Sequence, residues 1–211
     1  MPRPRIHDPD SVLDAAESLA VESGPGAVTI RAVAAATGVS NGAIYHTFGS
    51  RAELLGRTWL RAARHFLAVQ TDLVDDALDA VEAVVAAADA PAVFADQFPR
   101  SSKLLFTVSK SDLLRDDLPP DVANDLREVE AALLDLLIRL ALRMWDRKDR
   151  YAVDVITTCV VDLPTSILLH RDRTKDPTAR AHLRAAVRAV LDIGPPQHHT
   201  KGAQHAQLDL P

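Results

Sequence analysis

Residues 29–55 read TIRAVAAATGVSNGAIYHTFGSRAELL. Thr29 is an N-cap residue type, and Ile30, Val33 and Ala34 recur at helical spacing to form a buried stripe. Gly38 stands where a left-handed residue ends a helix, and Val39 plugs the angle between two crossing helices. Ser40 caps a second helix, Asn41 to Phe48, with Ile44 and Phe48 inward at i,i+4 spacing. Two short helices about a glycine-bearing turn form a helix-turn-helix, the unit that lays its second helix in a DNA major groove. A helical hairpin packed on a core would show the same turn, so the surface chemistry has to decide.

From Ser23 to Ala52 there is no Asp or Glu, although the chain holds 29 acids. A surface that approaches phosphates must lack carboxylates, which would repel them. The same span carries Arg31, His46 and Arg51, with hydroxyls at Thr29, Thr37, Ser40, Tyr45, Thr47 and Ser50. These groups suit phosphate oxygens, as do the free N–H groups at the helix starts, Ile30 and Asn41. The second helix opens Asn41-Gly42-Ala43, small enough for close approach to base edges. Asn41 can read an adenine with its amide, and the Ala43 methyl can touch a thymine methyl.

The run resembles the DNA-binding segment of the TetR family of transcriptional regulators. Thr29, Ile30, Ala34, Gly38, Val39, Ser40, Gly42, Tyr45, Phe48, Leu54 and Leu55 match that pattern in order and spacing. The resemblance implies that Thr29, Tyr45 and Arg51 hold the DNA backbone while Asn41, Gly42 and Ala43 face the bases. His46 takes a position of polar or basic phosphate contacts, and Arg31 and Ser40 complete the expected DNA-binding set. Arg51 replaces the family's usual lysine, which keeps charge and changes contact geometry. Thr37 replaces the usual alanine, and Ala32 a frequent acid.

Hydrophobic residues make up 47% of the 211, and aromatics only 4%. Alanine and leucine dominate without turn-rich β patterning, so an all-α fold is expected. The net charge of −5 argues against a nucleic-acid partner when taken over the whole chain. Residues 1–65, however, carry seven arginines against six acids. The acidity therefore belongs to the remainder. Cys159, the single cysteine, allows no intramolecular disulfide and suits a buried thiol in a reducing cytoplasm. No run suggests a signal peptide or a membrane span, so a cytoplasmic location is expected.

The first helix is announced by Asp8 and Pro9 and ends at Ser23-Gly24-Pro25-Gly26, with Val12, Ala15, Ala16 and Leu19 inward. Pro2-Arg3-Pro4-Arg5 before it reads as a short basic arm. Ser50 and Glu53 form a capping box that opens a long helix through about residue 73. Further helices are expected near 75–89, 91–98, 101–112, 120–146, 149–171 and 176–192, with breaks at Pro91, Pro99, Pro119-Pro120 and Pro177. Pro164 should kink the helix that contains it. Helix 120–146 carries apolar residues on two faces, the second being Leu134, Ile138, Leu142 and Trp145. That breadth exceeds what one core can cover. Pairing of 120–146 and 149–171 with their copies in a homodimer would bury it, as would a fully buried pair within a monomer. The tail 194–211 is polar, and its histidines lack metal-ligand spacing, so no metal or cofactor is expected.

No catalytic motif appears. Cys159 and His170 are eleven residues apart on one helix, about 16 Å of rise, too far for a nucleophile and its base. Asp154 and Asp162 stand about 12 Å apart by the same measure, with one of them a candidate for lining a ligand cavity. These readings predict three segments: a helix-turn-helix domain over 1–55, a helical effector-binding and dimerisation domain over 56–193, and a flexible tail. The resemblance implies a dimeric repressor on palindromic double-stranded operator DNA, released by a small effector. Trp59, Phe66, Phe94, Phe98, Leu104, Leu105, Phe106, Val108, Trp145 and Ile156 are candidate pocket residues, and their apolar character suits a lipophilic ligand. A helical enzyme or ligand carrier with a vestigial DNA-binding motif is the rival. Against it, a retired DNA surface has no reason to exclude carboxylates.

Overall fold

The computed structural model describes residues 8–108 and 118–196. The Pro2–Arg5 arm, the end of the helix expected over 101–112, and the tail beyond residue 196 lie outside them. Every described element is helical, so the all-α expectation holds. The helices are α1 (Pro9–Ser23), α2 (Ile30–Thr37), α3 (Asn41–Phe48), α4 (Arg51–Asp75), α5 (Ala80–Gln97), α6 (Pro99–Phe106), α7 (Pro120–Trp145), α8 (Arg150–Leu169) and α9 (Pro177–Ile193).

Local chemistry sets the helix starts. Asp8, Thr29, Ser40, Ser50, Asp79, Asp149 and Asp176 each accept a hydrogen bond from a backbone N–H in the first turn that follows. The capping box at Ser50 is half made. Ser50 Oγ accepts from Glu53 N at 3.0 Å, whereas the Glu53 carboxylate turns away to pair with Arg57 at 2.8 Å. A guanidinium one turn along the helix competes better for the carboxylate than a backbone amide does.

Two clusters form the interior. The first joins α1–α3 to the start of α4 and to Leu104 of α6, around Val12, Ala16, Val33, Ile44, Phe48 and Leu55. The second joins the far end of α4 to α5, α7, α8 and α9, around Val84, Ala88, Leu140, Ile156, Leu168 and Leu183. Alanines line the buried faces of α5, which lets its neighbours approach closely. Gly56 does the same for α4 against α7: a Cβ there would lie 2.6 Å from Val122 Cγ1.

The helix break expected at Pro91 does not occur, because α5 runs through it. Proline lacks the N–H that would serve the carbonyl four residues earlier, that of Ala87. Gln70 of α4, 1% exposed, supplies the missing donor: its Nε2 lies 2.9 Å from the Ala87 oxygen. Replacing Gln70 with Leu should therefore cost about 1–2 kcal/mol of stability, the loss of one hydrogen bond to a buried carbonyl. Adding Pro91→Ala should recover much of it by restoring the backbone donor. Urea unfolding of both singles and the double variant measures this; strictly additive effects would reject the compensation.

Pro164, expected to kink α8, stands between two widened stretches of that helix. Five-residue π-helical turns, Thr158–Asp162 and Thr165–Leu169, stand on either side of it. Cys159 is fully buried in α8, and burial pushes its thiol pKa up to about 12, which keeps it protonated and inert. Asp154 and Asp162 are exposed on the same helix. Contrary to the absence of spans read from the sequence, α8 is long and apolar enough by composition to cross a membrane. It nevertheless packs Ala152, Ile156, Cys159, Val160 and Leu168 into the second cluster.

Candidate nucleic-acid interface and effector region

The turn between α2 and α3 is built as its residues dictate. Gly38 adopts φ 73°, where an L side chain would be strained, and its N–H closes onto Ala34 O at 2.8 Å. Val39, 4% exposed, is driven into the angle beneath. Thr37 does not face outward as a phosphate donor. Its Oγ1 donates to Val33 O at 2.8 Å and accepts from Val39 N at 3.2 Å, so it stitches the turn.

Ile44 and Phe48 bury one face of α3 at 1% and 3% exposure. The opposite face leaves Asn41, Gly42, Tyr45, His46 and Thr47 in solvent, Tyr45 at 54%. Ala43 is half-buried and packs partly on the first cluster, so it presents less of its methyl than a base-reading residue would. Thr29 Oγ1 accepts from Ala32 N at 3.0 Å, and Ser40 Oγ from Ala43 N at 3.2 Å. A capping hydroxyl keeps its own proton, so both can still donate to phosphate oxygens. Arg31 is exposed beside Thr29.

Arg51 differs from the expectation of a free phosphate anchor. Its Nε donates to Val28 O and its Nη2 to Pro25 O, bracing the turn before α2 against the start of α4. Those carbonyls belong to a 3₁₀ turn, Pro25–Ala27, and its exit; the fork of a guanidinium serves both at once. Nη1 is left uncommitted among the described residues.

The arginines further along α4 are likewise engaged. Arg57 pairs with Glu53 and Asp121, Arg64 with Asp125, and Arg61 with Asp14 and Glu17. Arg57 is held above its usual pKa, first by its hydrogen bond with Glu53. The positive balance of the first 65 residues is thus largely internal, and the α2–α3 face relies on Arg31, helix N-termini and hydroxyls.

Glu17 escaped the sequence reading. Only 5% exposed, it accepts from Arg61 Nη2 at 2.8 Å and from Ser101 Oγ at 2.7 Å, tying α1, α4 and α6 together. A carboxylate on an otherwise apolar helix face is its one sequence signal.

The apolar pocket candidates divide. Phe66, Phe94, Phe98 and Phe106 come together, with ring centroids 5.2 Å apart for Phe66–Phe106 and 5.5 Å for Phe66–Phe94. Trp59, Leu104, Leu105 and Val108 belong to the first cluster, and Trp145 and Ile156 to the second. Among the described residues the ten are divided between these two clusters and the phenylalanine group, because aromatic type alone says nothing about which core a ring joins. Among the described residues a cleft of about 250 Å³ lies beside Phe106, and one of about 420 Å³ beside His65 and Phe98. Neither Asp154 nor Asp162 lines either of these clefts.

Comparison with known proteins places this arrangement. Residues 12–58 match the family described as bacterial regulatory proteins, tetR family. No curated protein matches the chain in sequence. Among solved structures, a TetR-family regulator from Shewanella sp. PV-4 is 18% identical with a TM-score of 0.64, covering 90% of this chain and 98% of its own. A TetR-family regulator from Streptomyces coelicolor is 21% identical at 0.62, with 88% and 98% covered. The ketosteroid transcriptional regulator KstR2 of Mycobacterium tuberculosis is 17% identical at 0.61, with 90% and 95% covered. The chain thus joins a TetR-family helix-turn-helix domain, over residues 12–58, to the fold of TetR-family transcription regulators.

Proposed function

We propose that this chain is a non-enzymatic, cytoplasmic repressor that binds palindromic operator DNA as a homodimer and releases it on taking up a small, largely apolar effector. The observation that carries the reading is the acid-free outer face of α2 and α3, with Asn41, Gly42, Tyr45 and His46 exposed above a buried Ile44–Phe48 seam. Residues 1–55 read DNA, and 56–193 pair and sense. Thr29, Arg31, Ser40, Tyr45 and His46 contact phosphates, as does Arg51 through its uncommitted Nη1. Asn41, Gly42 and Ala43 meet base edges.

α4 runs without interruption from Arg51, beside the DNA face, to Asp75 in the second cluster, which makes it the lever. An effector acts by binding the DNA-incompetent spacing of the two heads more tightly than the competent one. Helical regularity supports this link, because a helix transmits tilt along its whole length.

Fluorescence anisotropy with DNA flanking the gene tests the reading. Binding to a palindrome should resist excess random DNA, and affinity no better than for random DNA would reject it. Arg31→Ala should weaken binding to all sequences and reduce the salt slope by about one. Asn41→Ala should instead relax preference at one base position, at about 1–3 kcal/mol. A uniform loss for Asn41→Ala would reassign that side chain to the backbone.

A further inference from the structure

The cleft beside Phe106 has a chemistry that its volume alone does not convey. It opens between α6 and the turn that follows α8, and spans about 250 Å³. Phe106 and Leu169 give it apolar walls, and behind Phe106 stand Phe66 and Phe94, edge-on to its ring. Lys103 of α6 and Lys175 of the turn after α8 both line it, against a single lining carboxylate, Asp172. Neighbouring Arg173 is occupied by Asp176 at 2.7 Å, whereas neither lysine forms an ion pair among the described residues. Ser102, 6% exposed, also lines the cleft, and its hydroxyl takes no partner among the described residues.

Two uncommitted ammonium groups and an unpaired hydroxyl above an aromatic wall suit a ligand with one anionic head and a short apolar body. We propose that this cleft binds a small amphiphilic monocarboxylate, with Lys103, Lys175 and Ser102 on the carboxylate and Phe106 and Leu169 along the chain. Charge-assisted hydrogen bonds hold the head, and burial of methylenes holds the body. The volume sits at the low end for ligand sites and limits the body to a short chain.

The position of the cleft connects it to the DNA-binding half. Ser101, adjacent to Ser102 on α6, donates to Glu17 of α1 at 2.7 Å, and Glu17 holds Arg61 of α4. A ligand that favours one placement of α6 therefore biases α1 and α4 together. This consequence rests on the regulator reading above; the ligand chemistry does not.

Calorimetric titration of the full chain with sodium octanoate, sodium hexanoate and 1-octanol tests the site. Octanoate should saturate one site per protomer. Octanol, without the charge, should bind about tenfold more weakly, and hexanoate, two methylenes shorter, also about tenfold. Lys103→Gln with Lys175→Gln should weaken octanoate about tenfold and leave octanol unchanged. Both lysines are exposed, so the variant should melt as the parent does, which circular dichroism checks. Absence of saturable octanoate binding, equal binding of octanol, or full octanoate affinity in the double variant would each overturn the proposal.

Anisotropy with the flanking DNA separates the two readings. Lysine-dependent octanoate binding by a chain without operator preference supports the site and overturns the regulator reading. Operator binding by a chain indifferent to octanoate in the calorimeter overturns the site alone. Release of operator by octanoate in the parent, lost in the double variant, supports both.

Discussion

Asp89→Asn is expected to lower stability by about 2 kcal/mol at pH 7, the largest loss from any single substitution argued for this chain. Asp89 is 6% exposed on α5 and accepts from Arg180 of α9 at 3.0 and 2.8 Å, and from Arg184 Nη2. Breaking a fully buried pair costs about 3–5 kcal/mol. The arginine side chains are 22% and 43% exposed and can turn to water once released, which brings the expectation down. Arg180 also keeps a longer contact with Asp96 at 3.4 Å. At fixed protein concentration the melting temperature should drop by about 4–8 °C.

The pH dependence has a definite sign. Burial pushes the Asp89 carboxyl up, but the hydrogen bonds and charges of Arg180 and Arg184 outweigh it and hold the carboxyl below its usual range. A carboxylate depressed in the folded state stabilises above its unfolded pKa, near 3.9, and loses that contribution as pH falls through the folded value. The gap between parent and variant should therefore be constant from pH 7 to about 5 and narrow below about 4. Urea midpoints across that range measure it. A gap that widens in acid would mean that Asp89 is not held as the anion.

Which features could be read from the sequence follows from how far their causes reach along the chain. The caps at Asp8, Thr29, Ser40 and Ser50 and the left-handed Gly38 act within four residues, so a window of sequence contains the whole cause. The Ile44–Phe48 seam is likewise local, and the proposed DNA face is its complement. The sequence predicts a break at Pro91 because the donor that rescues the helix comes from Gln70, a side chain on another helix. Arg51 reads in the sequence only as a phosphate contact because the acceptors that also engage it, Pro25 and Val28, lie more than twenty residues earlier. The same holds for the pairing of Lys103 with Lys175 across one cleft, and for the assignment of each aromatic to its cluster. Composition announces a guanidinium, an ammonium or a ring, but the partner is set by packing.

Leu134→Glu combined with Leu142→Glu should convert the protein to a monomer and reduce operator affinity by roughly 100-fold, the largest functional effect expected. α7 turns Leu136, Leu137, Leu140 and Ala141 into its own core, yet leaves Leu134 50% and Leu142 39% exposed. Ile138 lies between them, half-buried, and Tyr151 of α8 is 43% exposed. An uncovered apolar stripe of this kind suits an interface, and in the homodimer proposed above a self-complementary pairing of α7 and α8 with their copies covers it. Four glutamates brought together across the two-fold axis would repel at short range with their charges stripped of water. The intraprotomer core does not contain either leucine, so helical content and monomer folding should persist by circular dichroism. Light scattering at micromolar concentration should then show half the parent mass, and a variant that stays dimeric would place the interface elsewhere. The loss of affinity has a separate physical origin: with one head bound, the second is no longer held at the neighbouring half-site, and its local concentration falls to that in bulk solution. A monomeric variant that still binds the palindrome as tightly as the parent would show that one α3 suffices for recognition, against the few base pairs its eight residues can reach.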